Sequence, residues 1–459
     1  MIPDSSPPLV SVVTVNHNGW AFLVGLLESL RRQTYRHFEV VVVDNASSDG
    51  SPEKLRELYP WVRVLKSPAN RGFVGGNNLG FSAGRGDLFA LINNDAVADP
   101  EWLGQMVAEI ESSRRIGAVC SKILFARPYL RVVFDVPTFS PARLGPSTDP
   151  RELGVFVEDG TGFAGCSYRK SIFREGFYAA ETVGGEIWRW SAGHAVVDLP
   201  VEHRDGAALL CLRAAGGLGG ARELRVRVGS AAPVKIGIDG YEREHTVEVP
   251  RDVVSRDAFE VINNAGSFLS PEGVAGDRGI YEPDRGQYDG PGDLEAFCGC
   301  SVLLRRQALV DAGVFDRDFF MYFEDTELSW RIRKRGYRLS YQPRSVVRHH
   351  HAGSIGEDSP LFVFLVTRNR ILMLLKHAPL ALGLRAYAEE LARTVRLAIR
   401  QRSLRTSSVR SRLRVQVSLL RQAPRALLKR YGLLREETVV AMFHIPRKSD
   451  TGSISTRTK

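Results

Sequence analysis

The sequence sets its polar chemistry where short apolar runs end. The first run stops at Thr14-Val15-Asn16-His17-Asn18 and the second at Asp44-Asn45-Ala46-Ser47-Ser48-Asp49-Gly50. A carboxylate and amides at adjacent strand ends can accept from and donate to a nucleobase edge and ribose hydroxyls. The same residues could instead form Asx turns and cap the next helix. Further on, Asn70-Arg71-Gly72-Phe73-Val74-Gly75-Gly76-Asn77-Asn78-Leu79-Gly80 allows close backbone approach and opens a helix whose free amides suit a diphosphate or a base plane. A plain turn would use those glycines equally well. Leu91-Ile92-Asn93-Asn94-Asp95 then offers one carboxylate of the kind that holds Mg²⁺ or Mn²⁺ together with phosphate oxygens.

Two later segments complete the set. Phe319-Phe320-Met321-Tyr322-Phe323-Glu324-Asp325 precedes a helix. Acidic residues in a first turn can simply complement the helix dipole. Paired carboxylates beneath an aromatic run, however, also provide a desolvated base able to take a proton from a hydroxyl. The run Val346-Val347-Arg348-His349-His350-His351 cannot turn all three imidazoles toward one ion from a strand. One imidazole completing a metal site with Asp95 is the reading taken here.

The elements that must position these residues follow from periodicity. Short β-branched runs at Leu9–Val15, Phe38–Val43, Val62–Leu65, Leu88–Ile92 and Ala118–Leu124 alternate with helical patterns at Ala21–Gln33, Pro52–Leu58, Phe73–Ala83 and Pro100–Ser112. That alternation predicts a parallel sheet wrapped by helices, with ligands beyond the carboxyl ends of its strands. After Pro128 come Gly-rich turns, Trp188, Trp190 and short alternating runs such as Ala195–Leu199, Ala208–Leu212, Glu223–Val228 and Val234–Ile238, the pattern of a β-sandwich. Near Val261 the chain leaves this module. A buried strand at Phe297–Leu304 and helices at Arg306–Ala312 and from Glu324 to Arg335 follow, so the sandwich reads as an insertion. The Gly-rich, charged stretch 276–289 reads as a covering loop over the active site.

The bulk numbers agree with several domains: 459 residues exceed one ordinary core, and 44% hydrophobic with 25% charged residues is a globular composition. Five cysteines without paired spacing argue against a disulfide framework or zinc ribbon. The N-terminus lacks the basic start and apolar run of a signal peptide, and no apolar stretch reaches spanning length, so a cytoplasmic location is expected. Residues 361–459 hold 21 Lys/Arg against 5 Asp/Glu, a net of +16, which leaves −6 for the remainder. Apolar stripes there, Leu384, Tyr387, Leu391, Val395, Ala398 and then Val409, Leu413, Val417, Leu420, predict basic amphipathic helices suited to an anionic membrane surface. They lack the aromatic platforms of a nucleic-acid binder.

Taken in order, the motifs at Asn16, Asp44–Gly50, Asn70–Gly80, Leu91–Asp95, the Gly313–Arg331 stretch and the histidine run resemble the family 2 glycosyltransferases of the GT-A fold, particularly rhamnosyltransferase-like bacterial members acting on cell-surface polysaccharides. The resemblance covers about 1–127 and 260–376. It implies an α/β, GT-A nucleotide-sugar-binding sheet with an inserted all-β sandwich and a C-terminal α-helical region. The expected divisions are 1–127 and 260–360 for the two halves of the catalytic domain, 128–259 for the sandwich, 361–446 for basic helices and 447–459 for a disordered tail. It further implies that Asn16, Asp44, Asn45, Gly72, Asn78, Asn93 and Asn94 bind the nucleotide sugar, and that Asp95 and His349 hold Mg²⁺ or Mn²⁺. Asp325 would be the catalytic base with Glu324 beside it. The family's acidic motif is often Asp-x-Asp; here Asn93-Asn94-Asp95 leaves one carboxylate.

The implied reaction is inverting transfer of a rhamnose-like or galactofuranose-like sugar from a nucleotide diphosphate to a hydroxyl of a glycan or polyprenyl-linked acceptor, at the inner face of the cell membrane. A sugar-phosphate nucleotidyltransferase would need a basic, Gly-rich triphosphate grip near strand one, which His17-Asn18-Gly19 is not. A catalytically inactive glycan-binding protein would use Trp188, Trp190 and Tyr178 for stacking, although aromatics in a sandwich also serve as core.

Overall fold

In a computed structural model of the chain, the described residues are 6–168, 170–270, 272–351, 359–401 and 406–432. They divide into two compact units. One comprises Met1–Ile123, Asn264–Gly279 and Tyr288–Lys459, and the other Leu124–Asn263 and Ile280–Gln287.

The first unit is built on a mixed sheet. Its strands β1 (Val10–Asn16), β2 (Phe38–Asp44), β3 (Arg63–Lys66) and β4 (Leu88–Ile92) alternate with helices α1 (Trp20–Arg31), α2 (Ser51–Leu58) and α3 (Gly72–Ala83). Val-rich runs such as Val40–Val43 are buried throughout, as expected of parallel strands covered on both faces. β1 pairs in parallel with β2 on one side and β4 on the other, and β2 with β3. The sheet order is Gly292–Asp293, Arg338–His349, β6 (Ile116–Phe125), Ser301–Arg305, β4, β1, β2, β3. The strand Ser301–Arg305 runs antiparallel to both β4 and β6. Buried Trp102 fixes that return strand, its indole N–H donating to Ser301 Oγ at 2.8 Å.

The Gly-rich motif explains itself by packing as much as by ligand approach. Gly72 adopts φ +68°, and a Cβ there would lie 2.4 Å from the Phe320 carbonyl oxygen. Along α3, added Cβ atoms at Gly76 and Gly80 would come within 2.6 Å of Val15 and 2.2 Å of Val13. These glycines let the helix lie directly on β1.

Three long helices close this unit: Pro360–His377, Leu380–Gln401 and Ser407–Arg430. Ser359 caps the first of them, accepting from the Phe362 N–H. The expected tail 447–459 and the end of the expected helical region, 433–446, lie outside the described residues, as do residues 352–354 of the histidine motif.

The second unit is all-β. Its strands follow the order Val234–Ile238, Arg222–Val228, Tyr129–Asp135, Glu186–Pro200, Phe156–Glu158, Ala208–Ala215, Arg243–Val249. The long strand Glu186–Pro200 belongs to two antiparallel sheets. Its first residues pair with Phe156–Glu158 and its last with Tyr129–Asp135. Alternate residues such as Leu210, Leu212, Leu224, Val226, Val247 and Val249 fill one core, which makes the unit a sandwich. Trp188 is buried and stacks on Phe156, as does Trp190, so both indoles serve packing. Ile280–Gln287, read from the sequence as part of the covering loop, joins this unit, with Tyr281 stacked on Phe125 at 5.5 Å.

Candidate active site

The register of the parallel strands brings the first group together. Asn16 and Asp44 are direct partners at the carboxyl ends of β1 and β2. β4, on the other side of β1, ends at Ile92 and delivers Asn93–Asp95 to the same edge. Asn94 Nδ2 donates to Asn16 Oδ1 at 2.9 Å, and Asn16 Nδ2 to Ser47 Oγ at 3.3 Å. Asp44 is 3% exposed; one of its carboxylate oxygens accepts weakly from the Ser47 N–H, and the other, Oδ1, is buried without a partner among the described residues. An acceptor in that state is suited to an N–H or O–H donor arriving at the edge.

Asn45 and Asn78 are spent differently. Asn45 Nδ2 donates to Asn70 Oδ1 and the Gly72 carbonyl while its Oδ1 accepts from the Arg71 N–H. It therefore fastens the Gly-rich loop to the end of β2. Asn78, buried on α3, exchanges both its hydrogen bonds with the Phe315 backbone and ties α3 to the segment leading into Glu324. Asp49 fixes the loop from below, accepting from the N–H groups of Trp20 and Ser51. Burial alone would raise its pKa, but the Ser51 and Trp20 hydrogen bonds hold it below the ordinary value.

The metal candidates meet through a short strand that periodicity could not reveal. β5 (Ala96–Ala98) pairs antiparallel with Arg338–His349 so that His349 stands opposite Ala96. His349 Nε2 then lies 3.1 Å from Asp95 Oδ1 and 3.4 Å from Asn93 Nδ2. Burial disfavours the imidazolium, yet the Cys300 sulfur and the Asp95 carboxylate beside it hold the pKa of His349 well above its ordinary value. Among the described residues no group of three or more His, Cys, Asp or Glu side chains is arranged as a metal site. One carboxylate and one imidazole fit a Mg²⁺ or Mn²⁺ whose remaining positions are filled by phosphate oxygens and water. The His350 N–H donates to the Asp95 carbonyl, and the His351 ring packs edge-on against His349 at 5.5 Å.

The second group opens the helix Glu324–Lys334. Tyr322 and Phe323 both adopt left-handed backbone, φ +70° and +67°, a costly conformation for aromatic residues. Asn369, fully buried in Pro360–His377, stabilises it by donating to the Met321 and Tyr322 carbonyls, each at 2.8 Å. Beyond this turn Asp325 accepts from the Gly299 N–H at 3.0 Å and from the Thr326 N–H at 2.7 Å. Burial, opposed by these hydrogen bonds, raises its pKa. Glu324 is pushed well above the ordinary carboxylate range by burial and by Asp325, and its Oε2 has no partner among the described residues.

Cys298-Gly299-Cys300 links the two groups, a role not read from the sequence. The Cys300 carbonyl accepts from the Asn93 N–H at 3.0 Å while the Gly299 N–H meets Asp325. A glycine between two cysteines just before a buried strand is the local signal. Asp277 was also missed. It belongs to the hairpin of Ser267–Leu269 with Ala275–Asp277 rather than to a free loop, is held by Asn264 and Ser267, and has a pKa raised by burial.

Residues 11–133, about a quarter of the chain, match the model of glycosyl transferase family 2. Its relatives are bacterial. The chain is 28% identical over 117 residues to an uncharacterized glycosyltransferase of Haemophilus influenzae, covering 25% of this chain and 36% of that one. It is 33% identical over 190 residues to the uncharacterized glycosyltransferase YwdF of Bacillus subtilis, covering 39% and 65%. With the O-antigen biosynthesis protein RfbC of Myxococcus xanthus it shares 35% over 131 residues, 27% of this chain and 10% of the relative. The chain thus spans less than two thirds of each of these relatives. Among solved structures, GalNAc-T7 with UDP, GalNAc and Mn²⁺ aligns with 81% of this chain and 49% of its own at 16% identity and a TM-score of 0.44, too distant to carry an argument.

Proposed function

We propose that this chain is an inverting, metal-dependent glycosyltransferase that moves a rhamnose-like or galactofuranose-like sugar from a nucleotide diphosphate to an acceptor hydroxyl during cell-surface polysaccharide synthesis. The observation that carries the reading is the set of groups on one unit: Asp44 Oδ1, buried and without a partner among the described residues, the Asp95–His349 pair at the ends of their strands, and the buried Asp325 at a helix start. RfbC, by its name a protein of O-antigen biosynthesis, supports the polysaccharide context, and the motif resemblance supports the sugar class.

In this reaction Asn16, Asp44 and Asn94 receive the base and ribose, with Asn93 beside the metal pair and Asn45, Gly72 and Asn78 shaping the loop and helix around the donor. Asp95 and His349 hold a divalent cation, which supplies charge neutralisation on the diphosphate leaving group. Asp325, oriented by the Gly299 and Thr326 amides, takes the proton of the acceptor hydroxyl as its oxygen attacks the anomeric carbon opposite the diphosphate, and the configuration inverts. Burial and, to a lesser degree, the like charge of Asp277 raise the pKa of Asp325, and Asp325 in turn helps to raise that of Glu324.

The test is a panel of dTDP-rhamnose, UDP-galactofuranose, UDP-glucose and GDP-mannose with Mg²⁺ or Mn²⁺, followed by thermal shift and nucleotide release. One donor should stabilise the protein in a metal-dependent way that Asp95→Ala abolishes. If no donor stabilises it with either metal, the transferase reading fails.

A further inference from the structure

Amphipathic helices of globular proteins ordinarily bury their apolar stripe; the helix Leu380–Gln401 does the reverse. In Leu380–Gln401 the inward residues are Gly383, Ala386, Glu390 and Thr394, with Glu390 and Thr394 only 4% and 3% exposed. Their partners on Ser407–Arg430 are polar: Arg412 donates to Glu390 at 2.6 Å, and Gln416 to Thr394 Oγ1 at 3.2 Å. The outward residues are Leu384, Leu391, Val395 and Ile399, the last 70% exposed. At about 100° per residue these four share one narrow face. Exposed Arg385 and Arg396 flank it, with exposed Arg393 and Arg400 farther round the helix.

Ser407–Arg430 buries Val409, Val415, Leu419 and Ala426 inward yet carries a second apolar row in solvent. Leu413, Val417, Leu420 and Leu428 are exposed, Leu420 at 67%, and Arg410, Arg414, Arg421 and Arg425 are exposed beside them. The two helices together carry eleven Lys/Arg and two Asp/Glu. No described helix is long and apolar enough to cross a membrane.

We infer that these two helices dock on a membrane surface bearing anionic lipid, lying in the interface with the leucine faces inserted and the arginines at the headgroups. An apolar stripe in water needs an apolar medium, and the flanking arginines need a plane of negative charge; a lipid interface supplies both. A second copy would set like charges against one another along the same seam. The surface is also tied to the candidate site. Lys429, on the second helix, pairs with Asp318 at 2.6 Å and with Asp316, a few residues before Glu324. Docking thus deepens the transferase reading by bringing a lipid-carried acceptor near Asp325, although the binding itself needs no donor.

The full chain is sedimented with phosphatidylcholine vesicles and with equimolar phosphatidylcholine–phosphatidylglycerol vesicles. Binding to the second, weakened by salt, is expected. Leu391→Asp/Ile399→Asp should lower the bound fraction by about tenfold or more, with an unchanged melting temperature because both side chains are already exposed. A wild type that stays in the supernatant with the anionic vesicles overturns the inference. So does a double variant that binds as well as wild type, or a wild-type dimer that the variant disperses. Vesicle binding without turnover of any nucleotide sugar would leave this inference standing and remove the transferase reading; turnover without vesicle binding would do the opposite.

Discussion

The two acidic groups at the strand edge differ in how their charge is met. Asp95 faces an imidazole 3.1 Å away, whose protonated form its carboxylate favours. Among the described residues no ion pair joins Glu324 or Asp325 to a cation; backbone amides orient one, and burial raises the pKa of both. The contrast separates two tasks. A carboxylate beside an imidazole can hold a cation once that imidazole gives up its proton, and one kept basic by desolvation is suited to accept a proton.

The largest break in that contrast should come from Asp325→Asn. It keeps size and one acceptor but cannot take a proton, so turnover should fall by about 10³-fold with little change in the donor KM, measured as nucleotide diphosphate release. Asp95→Ala should act on the other side of the contrast. Metal-dependent donor stabilisation disappears and kcat/KM falls by about 10²-fold, and His349→Ala should reproduce a smaller part of that loss.

Asn369→Leu sharpens the comparison by leaving both acidic groups in place. Removing the two hydrogen bonds to the Met321 and Tyr322 carbonyls frees the left-handed turn that aims Asp325. An expected loss of about tenfold in kcat, with donor thermal shift unchanged, would mark positioning rather than donor binding. The smallest effect is on stability. Because the folded pKa of Glu324 is raised, its charged form penalises the native state increasingly as pH rises above the ordinary carboxylate value. Glu324→Gln should therefore raise the melting temperature by about 2 °C or more near neutral pH, and the gain should vanish in acid, where Glu324 is protonated in folded and unfolded chains alike.

Sequence and structure agree most closely where one local rule decides. Apolar runs ending in Asn or Asp located β1, β2 and β4 and the edge they share, since these strands are largely buried on both faces. β5 escaped notice because three residues carry no periodicity, yet its register is what places His349 against Asp95. The Cys298–Cys300 bridge and Asp277 depend on partners far along the chain, which spacing does not report. On Leu380–Gln401 the periodicity identified a stripe read as facing a membrane surface, and Leu384, Leu391 and Val395 of it are exposed. A 3.6-residue repeat defines a face, and only the neighbours determine whether that face meets protein or solvent.

The central claim is that a desolvated carboxylate at position 325 drives sugar transfer, and it is tested most directly by the pH dependence of nucleotide diphosphate release in wild type and Asp325→Asn with the stabilising donor. Desolvation predicts a wild-type acid limb above the ordinary aspartate value of 3.8, with activity lost as pH falls through it. The variant should be slow and show no such limb. An acid limb retained in Asp325→Asn, or a variant as fast as wild type, would contradict the account.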